Sequence, residues 1–230
     1  MGDNAVLGIN NPNGEVTIDG VDGSTATIDG TITGPTQQSI DEVSVNASKA
    51  DGDITVRSSY PDGSPKRATV SLRVRYPSAA TVGQVQTNHG AITLRDAGGS
   101  PRLRSNNGSI TARRVDGTVT ARTENGEILV RDPGAIGQLR THNGSIETDV
   151  PAVTSDVTVQ TTNGPIDASL SPSLDVGIKA TTTHSPIKTH GLELANSSTA
   201  TDVSGTIGTE KHQLKFVTTN GSISLHVLTA

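Results

Sequence analysis

An 18-residue repeat between residues 85 and 146 limits this chain to a small number of folds. Its four copies read Val-Gln-Thr-Asn-His-Gly-Ala-Ile, Leu-Arg-Ser-Asn-Asn-Gly-Ser-Ile, Ala-Arg-Thr-Glu-Asn-Gly-Glu-Ile and Leu-Arg-Thr-His-Asn-Gly-Ser-Ile. The corner glycines of these copies are Gly90, Gly108, Gly126 and Gly144. A fixed period of this kind predicts stacked supersecondary units, each of which buries its apolar face with its neighbours.

Apolar residues at every second position flank each corner. Two residues after the glycine stand Ile92, Ile110, Ile128 and Ile146, and five residues before it stand Val85, Leu103, Ala121 and Leu139. Alternation with a period of two predicts strands with one buried face. Each unit therefore holds two short strands, which are joined at a glycine whose backbone is able to take a positive φ.

Such units add either as coils of a solenoid, which gives parallel sheets, or as successive hairpins, which gives an antiparallel meander. The identical register of every copy favours the solenoid, because equivalent residues then lie above one another. Asn107, Asn125 and Asn143 are expected to form one ladder, and the Thr or Ser residues two positions before them another. Stacked amide side chains are a known means of holding strands together.

The repeat continues on both sides of this stretch, with changes in its spacing and in its motif residues. Further coils are expected at Gly164, Ser185, Gly205 and Gly221, and the segment from Asn13 to Ile18 has the same corner-then-strand pattern. Longer alternating segments between residues 41 and 77, with a hairpin-type turn at Tyr60-Pro61-Asp62-Gly63, predict a cap over an open sheet end.

The expected fold class is all-β, a single-chain β-solenoid, or β-helix, with coils of about 18 residues and a longer-stranded, partly antiparallel N-terminal cap. We expect one elongated domain over residues 1–230, with 1–78 as the divergent N-terminal portion and 79–230 as the regular coils.

Composition agrees with a narrow core and excludes several kinds of site. The chain has three aromatic residues and no cysteine, so neither a wide aromatic core nor a disulfide or thiolate site is expected. No apolar run approaches the roughly 18 residues of a membrane-spanning helix, and the start at Met1-Gly2-Asp3 does not resemble a signal peptide.

Arginine is the clearest chemical feature of the repeat. One column, five residues after the corner glycine, contains Arg95, Arg113 and Arg131, and a second, four residues before it, contains Arg104, Arg122 and Arg140. Both columns have outward parity. Because ladders of like charge repel, an anionic glycan or lipid surface is a candidate partner. The alternative is that these side chains are solvated and pair locally with acids.

Other chemistry is not indicated by the sequence. The histidines do not converge at ligand spacing, so we expect no metal site. The Gly-Gly-x-Gly-x-Asp calcium signature and the usual catalytic motifs are absent, so we expect no cofactor and no catalytic residue. Nucleic acid is an unlikely partner, because aromatic residues for base stacking are lacking near the arginines.

The layout of the chain resembles a large bacterial and archaeal family, the putative-adhesin β-strand-repeat family. The resemblance is carried by Arg75-Tyr76-Pro77 and then by Thr-x-Asn-Gly-x-Ile repeats from Val85 onward, with Asn13 to Ile18 as the opening segment. It covers essentially the whole chain. It implies a β-solenoid in an extracellular or cell-envelope location and carries no catalytic residues.

Three functional hypotheses follow. The first is a non-enzymatic surface or envelope module, structural or adhesin-like, that binds an anionic polymer or a membrane surface. The second is a structural β-solenoid that associates end to end through a free sheet edge after Ile223 to Val227. The third is a β-helix enzyme that acts on polysaccharides. For the location of the protein, the cytoplasm is the alternative to the cell envelope.

Overall fold

The structure is a computed structural model that describes residues 5–61, 68–192, 194 and 197–229. These residues form twenty strands and one short helix, α1 (Gln37–Asp41). The strands are β1 (Val6–Asn13), β2 (Val16–Val21), β3 (Thr27–Thr33), β4 (Ser44–Ala50), β5 (Asp53–Ser59), β6 (Thr69–Pro77), β7 (Thr81–His89), β8 (Ile92–Ala97), β9 (Arg102–Arg104), β10 (Ile110–Arg122), β11 (Ile128–Arg140), β12 (Ile146–Val150), β13 (Val157–Gln160), β14 (Ile166–Leu170), β15 (Val176–Thr181), β16 (Ile187–His190), β17 (Ser197–Ser198), β18 (Asp202–Ile207), β19 (His212–Val217) and β20 (Ile223–Val227).

The strands form two ladders that meet at the Asn-Gly corners. The pre-corner ladder contains the strands that lead into the corners, in the order β4, β5, β1, β7, β9, the second half of β10, the second half of β11, β13, β19, β15, β18 and β17. The post-corner ladder contains the strands that leave them, in the order β3, β6, β2, β8, the first halves of β10 and β11, β12, β14, β20 and β16.

The predicted isoleucine column is confirmed. Ile92, Ile110, Ile128 and Ile146 are direct register partners on successive parallel strands, and each is at most 1% exposed. The apolar residues of both ladders belong to one continuous core cluster. The sequence alternation therefore becomes a thin shared interior, with one branched side chain added by each coil.

The predicted asparagine ladder is also confirmed, and it is longer than expected. The Nδ2 of Asn125 donates to Oδ1 of Asn107 at 2.9 Å, and Asn143 donates to Asn125 at 2.7 Å. Asn163 and Asn220 extend the chain of amides, each with a 2.8 Å bond. Each interior amide donates to one neighbour and accepts from the other, so register is fixed at every coil.

The Thr and Ser column before the corner has a structural role. These hydroxyls are buried, and each donates to the carbonyl of a corner glycine in the adjacent coil. Thr123 donates to Gly108 at 2.9 Å, and Thr141 donates to Gly126 at 2.9 Å. The hydroxyls thus satisfy carbonyl groups that the parallel ladder leaves unpaired at the corner.

The order of the coils at both ends differs from the order along the chain. The β1–β2 coil lies between β5–β6 and β7–β8, and the β19–β20 coil lies between β13–β14 and β15–β16. The expected free edge at Ile223–Val227 is therefore wrong, because β20 pairs on both sides. The expected coil at Gly205 is also wrong, because β18 runs antiparallel to β15 and covers the stack end.

The N-terminal cap is partly antiparallel, as predicted. β3 pairs antiparallel with β6, and β4 pairs antiparallel with β5. Helix α1 lies between β3 and β4 in the chain, and Thr36 caps its first turn by accepting a hydrogen bond from the Ser39 amide. The second half of the predicted hairpin turn, Asp62 and Gly63, lies outside the described residues. No helix among the described residues is long and apolar enough to cross a membrane.

Candidate functional site

The two arginine columns lie on different ladders. Arg95, Arg113 and Arg131 are register partners on the post-corner ladder, and Arg104, Arg122 and Arg140 are register partners on the pre-corner ladder. In each strand the arginines alternate with buried core residues, which confirms their predicted outward parity. Because the shared core lies between the ladders, the structure keeps the two columns apart.

Acids neutralise much of the post-corner column. Arg95 pairs with Asp19 of the β1–β2 coil at 3.2 Å. Arg131 donates to Asp149 at 2.7 Å and also pairs with Glu147. The side chain of Asp149 is only 8% exposed, and it also accepts the backbone amide of Asp132 at 3.2 Å. This column is therefore part of the structural framework, at least at Arg131.

We predict that Arg131→Gln lowers the free energy of unfolding by about 2 kcal/mol, because it leaves the nearly buried Asp149 without its charged partner. The same change at Arg104, an exposed residue of the pre-corner ladder, is expected to cost less than about 0.5 kcal/mol. Denaturant unfolding of the two variants measures the difference. Equal stabilities would show that the Arg131 to Asp149 contact contributes nothing.

The second corner of the coil contains a further ion pair. Arg114 donates to Asp96 through Nε at 2.5 Å and Nη2 at 3.0 Å, and this hydrogen bonding holds the pKa of the Asp96 carboxyl below its usual value. Asp96, Arg114 and Asp132 all have positive φ, at 54°, 52° and 50°. Such backbone is costly for residues other than glycine, and here the contacts of successive coils hold it in place.

The pre-corner ladder presents a different surface, which we call the basic face. It consists of the outward side chains of β1, β7, β9, the second halves of β10 and β11, β13, β19 and β15. Six exposed cations lie on it: Arg102, Arg104, Arg122, Arg140, Lys179 and Lys215. In the described segments 6–13, 81–89, 102–104, 118–122, 135–140, 157–160, 212–217 and 176–181 there is no Asp or Glu. Gln and Thr occupy most of the remaining outward positions.

One carboxylate lies at the corner end of this face. Glu124 accepts a hydrogen bond from Arg122 at 2.7 Å. That hydrogen bond lowers the pKa of the Glu124 carboxyl, and the charges of Arg122, Arg140 and His142 lower it further. Glu124 therefore holds the Arg122 guanidinium toward the corner, while no ion pair is formed by Arg104 or Arg140 among the described residues.

A shallow cavity lies in the centre of the basic face, and we call it the arginine notch. Its volume is about 240 Å³, and its lining contains Gln84, Arg102, Leu103, Arg104, Thr120 and Arg122. Three arginines from two adjacent strands thus line one depression, together with a glutamine and a threonine. The sequence alone gave no signal for this depression, because it depends on how the side chains of β7, β9 and β10 fill the surface.

His190 and His226 are neighbours in the structure, although their positions in the sequence do not predict a contact. The rings of His190 and His226 stack with centroids 4.8 Å apart, and His226 lies 3.5 Å from Asp167. They are neighbours because β16 pairs with β20, which the coil order along the chain does not reveal. Among the described residues no group of three or more His, Cys, Asp or Glu side chains is arranged to hold a metal.

A protein-family model matches this architecture. The model is that of the Toastrack family, DUF4097, and it aligns with residues 7–226, which is nearly the whole chain. The chain belongs to the Toastrack family. The family resemblance drawn from the Thr-x-Asn-Gly-x-Ile repeats is thereby confirmed, together with the β-solenoid fold class. None of the curated proteins matches the chain.

Two solved structures resemble this Toastrack chain along nearly their whole length. A putative cell adhesion protein from Clostridium sporogenes ATCC 15579 is 11% identical, with 98% of this chain and 93% of that chain covered and a TM-score of 0.42. A putative adhesin from Bacteroides fragilis NCTC 9343 is 14% identical, with 98% and 92% covered and a TM-score of 0.39.

Proposed function

We propose that this Toastrack protein is a non-enzymatic module of the cell surface or envelope that binds an anionic polymer through its basic face. The observation that carries the proposal is the separation of charge between the ladders. On the post-corner ladder Arg95 and Arg131 pair with acids, whereas the strands of the basic face have six exposed cations and no carboxylate in their described segments. The envelope location rests on the family resemblance.

The rigidity of the ladder makes this face suited to a polyanion. Arg104, Arg122 and Arg140 are held in register on successive strands, about 4.8 Å apart. Like charges at this spacing repel by about 1 kcal/mol per pair in water, and a bound anion relieves that repulsion. Since the strands are fixed by the core and the asparagine ladder, the cations lose little backbone freedom on binding.

The chemistry of the face favours binding over catalysis. Its side chains are guanidinium, ammonium, amide and hydroxyl groups, which donate hydrogen bonds to carboxylate, sulfate or phosphate oxygens. Glycan-cleaving enzymes commonly use a pair of carboxyl groups placed on either side of the scissile bond. At the margin of this face Glu124 is engaged with Arg122, and Glu210 accepts a hydrogen bond from Gln213 at 2.8 Å.

The proposal predicts that the triple variant Arg104→Gln, Arg122→Gln and Arg140→Gln binds immobilised polygalacturonate roughly tenfold more weakly, because three exposed charge contacts are worth about 1.5 kcal/mol together. Binding of the unaltered protein should also weaken as salt is added, since exposed charges are screened. Biolayer interferometry at low and physiological salt measures both effects.

The matched control is Arg75→Gln, Arg95→Gln and Arg113→Gln, which removes the same charge from the post-corner ladder. These three side chains project outward in the register column of that ladder, where Asp19 separates Arg75 from Arg95. We expect this variant to keep most of its affinity. Equal losses in the two triple variants, or no loss in the first, would overturn the assignment of binding to the basic face.

A further inference from the structure

We infer that the polymer bound by the basic face is a linear polyuronate, a glycan with a carboxylate on every sugar, which lies across the strands along the Arg104, Arg122 and Arg140 column. This inference rests on the proposed function and names its ligand class. The argument uses the spacing of the cations, the neutral groups that flank them and the arginine notch.

The spacing of the cations requires a ligand with charges at short intervals. Arg104, Arg122 and Arg140 are direct register partners, so one guanidinium is presented at each strand spacing of about 4.8 Å. A sugar residue in an extended chain advances by a similar length. A polymer with one carboxylate on every sugar therefore offers charges at intervals close to the spacing of the arginines, whereas a glycan charged at every second sugar offers them at twice that interval.

The neutral residues at both ends of the column favour a hydroxyl-rich ligand. Gln86 precedes Arg104 in register, and Gln160 follows Arg140, so the track reads Gln, Arg, Arg, Arg, Gln over five coils. Amide side chains both donate and accept hydrogen bonds, which suits sugar hydroxyls. A simple polyanion such as polyphosphate has acceptors only and uses half of that capacity.

The arginine notch supplies a site for one sugar ring on this track. Arg102 and Arg104 offer guanidinium donors for a carboxylate, while Gln84 and Thr120 offer an amide and a hydroxyl for ring hydroxyls. The notch has a volume of about 240 Å³, which accommodates a ring of that size. A few convergent polar groups that fix the orientation of a ligand are typical of small-ligand sites.

A lipid surface fits the same face less well. Stable attachment to a membrane requires apolar or acyl groups that enter the lipid in addition to charge. Phe216, the aromatic residue of β19, is fully buried, and the described outward positions from β1 to β15 contain no aromatic side chain. The face therefore provides charge and hydrogen bonds without an inserted anchor.

The test compares three soluble polyanions at equal anionic-group concentration. Polygalacturonate has a carboxylate on every sugar, hyaluronate has one on every second sugar, and polyphosphate has no sugar. We expect polygalacturonate to bind about tenfold more tightly than hyaluronate, equivalent to about 1.4 kcal/mol. The double variant Gln84→Ala and Thr120→Val should weaken polygalacturonate binding several-fold and leave polyphosphate binding unchanged.

The outcomes separate this inference from the proposed function. Equal affinity for polygalacturonate and hyaluronate, or equal effects of the double variant on polygalacturonate and polyphosphate, would overturn the polyuronate assignment and leave polyanion binding in place. Binding to none of the three polymers, or binding only to vesicles that contain phosphatidylserine, would overturn both. Circular dichroism of each variant confirms that the solenoid remains folded.

Discussion

Gly126→Ala is expected to lower the free energy of unfolding by about 4 kcal/mol or more. A methyl group at Gly126 would overlap the carbonyl oxygen of Gly108 in the adjacent coil, which is backbone and has no rotamer to move away. Relief requires the two coils to separate at the corner, where the Gly108 amide donates to the Asn125 carbonyl at 2.9 Å. Overpacking against backbone belongs to the most destabilising class of single substitutions.

Gly30→Ala is the control for this prediction. A Cβ at Gly30, on the edge strand β3, would lie 3.5 Å from Cδ2 of Leu72, which is an ordinary contact. We expect a change within about 0.5 kcal/mol, since alanine also reduces the freedom of the unfolded chain. For a domain of this size, the Gly126 variant should melt roughly 8–16 °C lower than the Gly30 variant. Similar melting temperatures would show that the coils do not approach each other so closely.

Ile128→Ala is expected to cost about 3–4 kcal/mol, the second-largest effect. Ile128 is 1% exposed and lies between Ile110 and Ile146 in the middle of the isoleucine column, so truncation leaves a cavity that the fixed strands do not fill. Denaturant unfolding at equilibrium measures this loss, and a midpoint shift without a change in slope would assign it to stability alone.

Ile187→Ala makes the same chemical change at the end of the same column. Ile187 is half-buried on β16, where Ile223 is its register partner and β16 forms the edge of the described post-corner ladder. With less surface removed from water, we expect a cost of about 1 kcal/mol. An equal cost at positions 128 and 187 would contradict the account of a continuous interior that is tightest at its centre.

The reason why glycine is required at the corners differs in part from the predicted one. The sequence predicts corners at which glycine is able to take a positive φ, and Gly14, Gly90 and Gly164 do have φ values of 124°, 155° and 156°. At Gly108, Gly126, Gly144 and Gly221 no such φ occurs, and the constraint is the close approach of the preceding glycine carbonyl. Glycine is required at these corners because adjacent coils touch through backbone.

The arrangement of residues within one coil was predictable from the repeat. The 18-residue period, the inward isoleucines, the outward arginines and the amide ladder were all predictable, because side-chain parity has a period of two and equivalent residues of stacked coils must meet. These features depend on the alternation of side chains along each strand and on the stacking of equivalent residues in adjacent coils. Both can be read from the repeat.

The order of the coils at the two ends, and therefore the contacts between charged residues there, is visible only in the folded chain. Every coil offers the same parallel edges, so the repeat does not reveal that β1–β2 and β19–β20 are inserted one place inward. That insertion brings Asp19 to Arg95 and His226 to His190. Long-range contacts of this kind depend on how antiparallel strands cover the two stack ends. On the basic face Arg122 is paired with Glu124, whereas Arg104 and Arg140 form no ion pair among the described residues.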